Sequence, residues 1–387
     1  MSERIEPFTL HVPDEDLADL RRRLSAVRWP AGGTVTDTSQ GPTPEKLRAL
    51  VAHWRDAYDW RACEAELNGL GQYRTTIDGL DIDLLHIRSA EPGALPLIMT
   101  HGWPGSVLEF RKVIGPLTDP AAYGGDPRDA FHLILPTLPG FGFSAKPAET
   151  GWDPGRIADA WITLMDRLGY QTWGAQGGDL GCAVTDEIAR RRPPGLIGMH
   201  LNFAMFGPTP DEIAEATAEE RAMLASAKYF WDNLSGYAKE QSTRPQTIGY
   251  SLADSPVGQA AWIYAMFQDT CGTPGDAEAT FTLDELLDDI MLYWLPNSGA
   301  STARLYWEMA RSGWSAPATV DAPTDLPTGF TMSPKEHVRK SRRWIERRYS
   351  KVVHFNELAA GGHFTALEQP EGFTADVRAT FAGLRAG

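Results

Sequence analysis

Residues 176–181 read QGGDLG, between a short apolar run at 172–175 (TWGA) and a helical stretch at 180–191 (LGCAVTDEIARR). Small residues on both sides of one polar residue, at a strand-to-helix junction, mark a sharp turn that pushes the middle side chain into the open. Gly177 and Gly181 permit the close backbone approach that such a turn needs. The residue presented is Asp179. A serine there would have to lose a proton before attacking a carbonyl. A carboxylate is anionic at neutral pH and attacks a saturated carbon directly, leaving an alkyl ester on the protein. Strained epoxides and alkyl halides are the matching substrates. The plain alternative is that Asp179 only caps the following helix, since Asp is a favoured N-cap. The six residues alone do not separate the two.

Outward from this turn, apolar runs at 96–100 (PLIMT), 131–136 (FHLILP) and 196–201 (LIGMHL) alternate with helical stretches such as 156–168. Buried strands separated by helices indicate a mostly parallel central sheet flanked by helices. From about 204 to 320 the strand signals stop and the chain is helical and aromatic-rich, an expected lid. Strand signals return at 326–331 and 351–356, and a last helix is expected over 371–384. Upstream, 14–24 (DEDLADLRRRL) has Leu17, Leu20 and Leu24 at helical spacing behind an acidic first turn. Residues 30–45 read as an irregular loop, 44–67 as a second helix, and 72–88 as a hairpin turning at Asp78-Gly79. The expected division is an N-terminal wrapping segment (1–90), a first core part (91–203), the lid (204–320) and a second core part (321–387).

Two more stretches carry chemistry. HGWPGS (101–106) directly follows a strand, and a Gly-rich turn there can aim backbone N–H groups at a developing oxyanion. The Trp103 and Leu180 N–H groups are the expected pair, and the bond before Pro104 is a candidate cis bond. His101, at the strand end behind this loop, reads as structural. GGHFTA (361–366) exposes His363 between the last strand and the last helix, a place for a water-activating base. Such a base needs a carboxylate to orient it. Glu336 and Glu357 both qualify, and Glu336 is preferred because it follows a strand's C-terminal end, where sites of open α/β sheets gather.

Composition bounds the rest. Lys plus Arg is 36 and Asp plus Glu 51, a formal charge of −15, which disfavours nucleic acid and anionic membrane as partners. The three cysteines, Cys63, Cys182 and Cys271, are scattered and odd in number, so no disulfide framework or metal site is expected and a reducing cytoplasm fits. No signal-peptide core or apolar run of membrane-spanning length is visible. Of the 36 basic residues only 8 are Lys, which points to a GC-rich genome.

Taken together, these strings resemble the microsomal-type epoxide hydrolases of the α/β-hydrolase superfamily, over nearly the whole chain. FTLHVPDEDLADLRRRLSAVRWP (8–30) is similar to that family's N-terminal wrapping segment. HGWPGS and LPGFGFS (138–144) resemble its oxyanion-side loops, QGGDLG its nucleophile motif and GGHFTALEQPE (361–371) its base motif. Relatives often carry Trp where this chain has Leu180. The resemblance implies the α/β-hydrolase fold with a helical lid. It also implies that SGY (235–237) and RLYWE (304–308) supply paired tyrosines, Tyr237 and Tyr306, which donate to the epoxide oxygen, and that Glu336 is the relay acid.

The expected reaction is attack of Asp179 on an epoxide carbon, then release of a vicinal diol by water activated at His363. It requires no metal or organic cofactor; its partners are a small-molecule epoxide and water, and a homodimer is left open. The lid's aromatic load implies an apolar, aromatic or polycyclic epoxide, with Trp231, Trp262, Phe267 and Trp307 as pocket candidates. Natural-product tailoring, on an enediyne precursor for example, and detoxification are the roles considered. The rivals are a haloalkane dehalogenase, for which Trp103 could bind halide, and a non-catalytic binding protein of the same fold.

Overall fold

The computed structural model describes residues 4–313 and 323–385. At its centre is one nine-stranded sheet. In chain order the strands are β1 (Glu6–Pro7), β2 (Gln72–Ile77), β3 (Leu80–Ile87), β4 (Leu95–Thr100), β5 (Phe131–Pro136), β6 (Trp173–Gly177), β7 (Leu196–Leu201), β8 (Thr328–Met332) and β9 (Val352–Glu357). In space they run β1-β2-β3-β5-β4-β6-β7-β8-β9. The run from β5 through β4 to β9 is parallel, and β1, β2 and β3 join antiparallel. Helices cover both faces, so every residue of β4 and β6 is buried and their sequences read as unbroken apolar or small runs. This is the α/β-hydrolase fold that the sequence implied.

The β2–β3 hairpin turns where expected. Asp78 and Gly79 both have left-handed φ, 50° and 78°, as a tight two-residue turn demands. These strands come from the N-terminal segment yet extend the same sheet as the core. Leu17, Leu20 and Leu24 are the buried face of the helix Asp14–Ser25.

The expected single helix at 44–67 is instead two, Pro44–Asp56 and Trp60–Gly69. The N–H groups of Ala57 and Tyr58 both return to the His53 carbonyl. Asp59, extended at φ −119°, then restarts the helix with its carboxylate on the Arg61 N–H. The strand expected at 326–331 begins at Thr328, because Pro327 has no N–H for the ladder.

Between β7 and β8 the chain forms the lid, whose longer helices are Ala218–Tyr229, Gly236–Thr243, Pro245–Asp254, Pro256–Thr270, Leu283–Trp294 and Gly299–Arg311. The expected lid boundary at 320/321 lies outside the described residues. The N-terminal segment clasps core and lid together through Arg111. Its guanidinium pairs with Glu66 of that segment and, at 2.7 Å, with Asp288 of the lid, which also accepts from the Tyr58 hydroxyl at 2.7 Å. Among the described residues no helix is long and apolar enough to cross a membrane.

The chain leaves β4 toward β5 on one side and β6 toward β7 on the other. The crevice at the C-terminal ends of β4 and β6 is therefore the topological switch point, where ligands bind in open α/β sheets.

Candidate active site

Asp179 stands at that crevice with φ 47° and ψ −125°. A non-glycine residue in this region costs on the order of 1–3 kcal/mol and persists only where its surroundings enforce it. Here the glycines enforce it. A Cβ on Gly181 would overlap the Thr100 carbonyl, and a Cβ on Gly102 would overlap the Asp179 carboxylate. Asp179 makes no capping hydrogen bond to the helix Leu180–Arg191. The simple-cap alternative therefore fails, and the carboxylate is free for other partners.

Those partners come from three loops. From the HGWPGS loop after β4, the Trp103 N–H donates to Asp179 Oδ1 at 2.9 Å. The Trp103–Pro104 bond is cis, and the Tyr293 hydroxyl donates to the Gly105 carbonyl at 2.7 Å. Leu180 is the first helical residue, so its N–H has no partner within the helix. His101 is structural, as expected: fully buried, it faces the Gly102 carbonyl through Nδ1 and accepts the Leu138 N–H at Nε2, 3.2 Å away, joining the two Gly-rich loops. Burial holds its imidazole down at about 4.

From the loop after β9, His363 places Nε2 3.4 Å from Asp179 Oδ2. Its Nδ1 lies 2.6 Å from Glu336 Oε2, on the loop after β8. Glu336 is thus the acid that meets the imidazole, and Glu357 is exposed at the end of β9. The two loops are tied by Ser333 to Thr365 at 2.9 Å and by the Lys335 N–H to the Gly361 carbonyl at 3.1 Å. Burial disfavours a charged imidazole, but the Glu336 and Asp179 carboxylates together hold His363 well above its ordinary value. Burial likewise opposes ionisation of Glu336, and the facing imidazole outweighs it, leaving that carboxyl below its usual range.

From the lid come Tyr237 and Tyr306. The Tyr237 ring stacks on Trp103, centroids 4.7 Å apart at 16°. Tyr306 meets both rings edge-on at 5.9 Å. Burial, with the nearby Asp179 charge, pushes both phenols above their ordinary value, so they stay protonated and can donate.

The pocket candidates are not gathered in the same way. Trp231 is 58% exposed on the outside of the lid. Trp262 donates its indole N–H to Gln241 at 2.9 Å, and Trp307 lies under the Arg311 guanidinium. Phe267 is core packing, stacked on Phe364 at 4.1 Å. Helical periodicity shows which lid residues share a face, not which face meets the crevice.

Several neighbours went unread in the sequence. Phe203 packs edge-on against the His363 ring at 5.7 Å. Glu368, within the GGHFTALEQPE string, accepts the N–H groups of Gly362, Phe364 and Gly272, and the His363 N–H donates to the lid carbonyl of Thr270 at 2.8 Å. The Glu109 carboxyl lies against Gly105, where any Cβ would collide with it. Burial pushes that carboxyl up to about 8, the Asp179 charge adding to the shift against the opposing pull of His363.

The arrangement joins an anionic oxygen, an imidazole with its own carboxylate and two neutral phenols. The chain is 34% identical to epoxide hydrolase 1 of the pig, Sus scrofa, over 406 residues, covering 99% of this chain and 89% of that protein. This chain belongs to the epoxide hydrolase family. A protein of Stigmatella aurantiaca, named only provisionally as an epoxide hydrolase, is 52% identical over 99% of this chain and 86% of its own length. The family pattern for the epoxide hydrolase N terminus matches residues 5–110, and that for the α/β hydrolase fold matches residues 96–251. Among solved structures, the Aspergillus niger epoxide hydrolase superposes with a TM-score of 0.87 at 30% identity, covering 99% of this epoxide hydrolase and 97% of that chain. The juvenile hormone epoxide hydrolase of the silkworm Bombyx mori gives 0.91 at 28% identity, covering 99% and 95%.

Proposed function

We propose that this epoxide hydrolase works through a covalent ester on Asp179. The observation that carries the reading is the division of labour at that carboxylate: Oδ1 accepts the Trp103 N–H, and Oδ2 lies 3.4 Å from the imidazole of His363. Oδ1 is already where a backbone donor can hold an oxyanion, which leaves Oδ2 to attack carbon. As the C–O bond of the epoxide breaks, Tyr237 or Tyr306 gives its proton to the departing oxygen. General-acid help of this kind is worth roughly 10²–10⁴ in rate, about 3–5 kcal/mol.

The alkyl ester then awaits water. His363, oriented by Glu336, takes a proton from a water molecule, whose oxygen attacks the ester carbonyl carbon. The Trp103 and Leu180 N–H groups hold the tetrahedral oxyanion. Collapse breaks the bond from Asp179 Cγ to the ester oxygen, the imidazolium returns its proton to the leaving alkoxide, and the proton left on the regenerated Asp179 carboxyl passes through water to the phenolate, restoring carboxylate and phenol. A vicinal diol departs.

The ring cluster of Trp103, Tyr237 and Tyr306 supports an apolar, aromatic or polycyclic epoxide as substrate, in natural-product tailoring or detoxification. Turnover of aryl epoxides well above that of small polar ones is the expected ranking.

The decisive experiment is a single turnover in ¹⁸O-water with enzyme in excess. The first diol should carry no label, because its new oxygen comes from Asp179, and the heavy atom should stay in that carboxylate. A labelled first diol means direct attack by water and removes the ester.

A further inference from the structure

Beside the Glu336–His363 pair lies a buried cation that the mechanism does not use. Lys340 is 6% exposed. Its ammonium donates to the Val338 carbonyl at 3.2 Å and faces the Phe206 ring, 5.8 Å from the centroid. The N–H of the same Val338 donates to Glu336 Oε1 at 2.9 Å, while Glu336 Oε2 holds His363. The two side chains thus grip one residue from its two ends.

An ammonium is costly to bury unless a charge answers it. The groups that act on this one are Glu336 and Cys182. Cys182 lies on the first turn of the helix that begins after Asp179, but burial pushes its thiol well up, so it stays neutral. The neighbouring guanidiniums are engaged elsewhere, Arg347 with Glu212 at 2.7 Å and Arg348 with Asp186 at 3.3 Å, and His337 faces the Asp269 carbonyl at 3.0 Å. Glu336 is left as the counter-charge.

We propose that Lys340 is a positioning residue of the relay: it fixes the turn that presents Glu336 to His363, and its charge offsets part of the negative field that favours the imidazolium. It thereby sets the pH at which His363 becomes neutral and able to accept a proton from water. Burial depresses the ammonium itself to about 8, with Glu336 opposing, so it carries its charge on the acid side of that value.

Removing the positive charge leaves the Glu336 field less opposed, stabilises the imidazolium and moves the acid limb of ester hydrolysis to higher pH. A shift of about half a pH unit is expected from the loss of a buried charge that acts on the carboxylate holding His363.

The inference rests on the ester mechanism, and one experiment distinguishes the two. Decay of the alkyl-enzyme is followed by mass spectrometry of quenched samples across pH, for the wild type and three variants. Lys340→Met and Lys340→Gln should shift the acid limb upward. Lys340→Arg, which keeps the charge, should leave it in place. A merely structural role would lower rates at every pH without moving the limb, and coincident limbs would overturn the proposal. Should Lys340→Met fail to fold, Lys340→Gln, which keeps a donor for Val338, decides alone. If wild-type enzyme forms no ester, the mechanism itself fails; if it forms one and the limbs coincide, only the role of Lys340 fails.

Discussion

The indole of Trp103 lies 4.7 Å from the ring of Tyr237, nearly parallel to it, while the backbone N–H of Trp103 is bonded to Asp179. One residue of the loop after β4 thereby fixes the spacing between a carboxylate on the core and a phenol on the lid. Trp103→Ala keeps the N–H and removes the platform. Ester formation should slow by about tenfold or more, since a misplacement near 1 Å costs that much or more in an oriented reaction. Hydrolysis of the preformed ester should change far less. Single-turnover alkylation and decay, measured separately, check this. An unchanged alkylation rate would make the stacking incidental.

The two phenols should share the donor's work. Each stays protonated because burial and the Asp179 charge push its ionisation upward. Tyr237→Phe or Tyr306→Phe alone should slow ring opening by roughly 10–10²-fold, and the double variant by about 10²–10⁴-fold. Near-normal turnover of the double variant would take both out of the mechanism.

Replacing the base should stop the second half only. His363→Gln leaves Asp179 able to attack and no group to deprotonate water, so the ester should persist. Peptide mapping should find a substrate-mass adduct on the peptide containing Asp179. Loss of activity without that adduct counts against the role given to His363.

The pH profile has a direction that the geometry supplies. Glu336 and Asp179 raise His363 above 6.5 in the free enzyme. The base must be neutral to act on the ester, so ester decay should fall as pH drops through the imidazole's value in that state. In the ester, Asp179 no longer carries charge, and part of the raising field is gone. The acid limb of ester decay should therefore lie below the imidazole pKa measured by NMR in free enzyme. Glu336→Gln removes the stronger carboxylate and should move both downward while lowering the maximal rate. An unmoved imidazole pKa in Glu336→Gln would refute the pairing.

Stability tests the clasp rather than the chemistry. Arg111 is 18% exposed at its side chain and answers Asp288, which is 8% exposed. Arg111→Ala leaves that carboxylate buried beside Tyr58 without its cation. A loss of about 2–3 kcal/mol is expected, toward the low side for a buried pair because solvent reaches the arginine. The midpoint of urea unfolding checks it, and no change would mean that water or rearrangement replaces the clasp.

What the sequence determined by itself is local. The Asp78-Gly79 turn, the strand-to-helix bend at Asp179 and the Gly-flanked loops at 101–106 and 361–366 each depend on φ/ψ demands within a few residues, and glycine placement shows such demands directly. The alternation of strands with helices, and so the sheet, is likewise carried by short-range periodicity. Tertiary structure brought one of the two candidate acids onto His363: Glu336 lies on the loop after β8 and Glu357 at the end of the neighbouring β9, and packing aims only the first inward. It turned Trp231 outward and Phe267 into the core while the Trp103 platform received the tyrosines. It also placed Glu109 and Lys340 in the interior, for burial of a charge is a property of everything folded around it, not of the residues beside it in the chain.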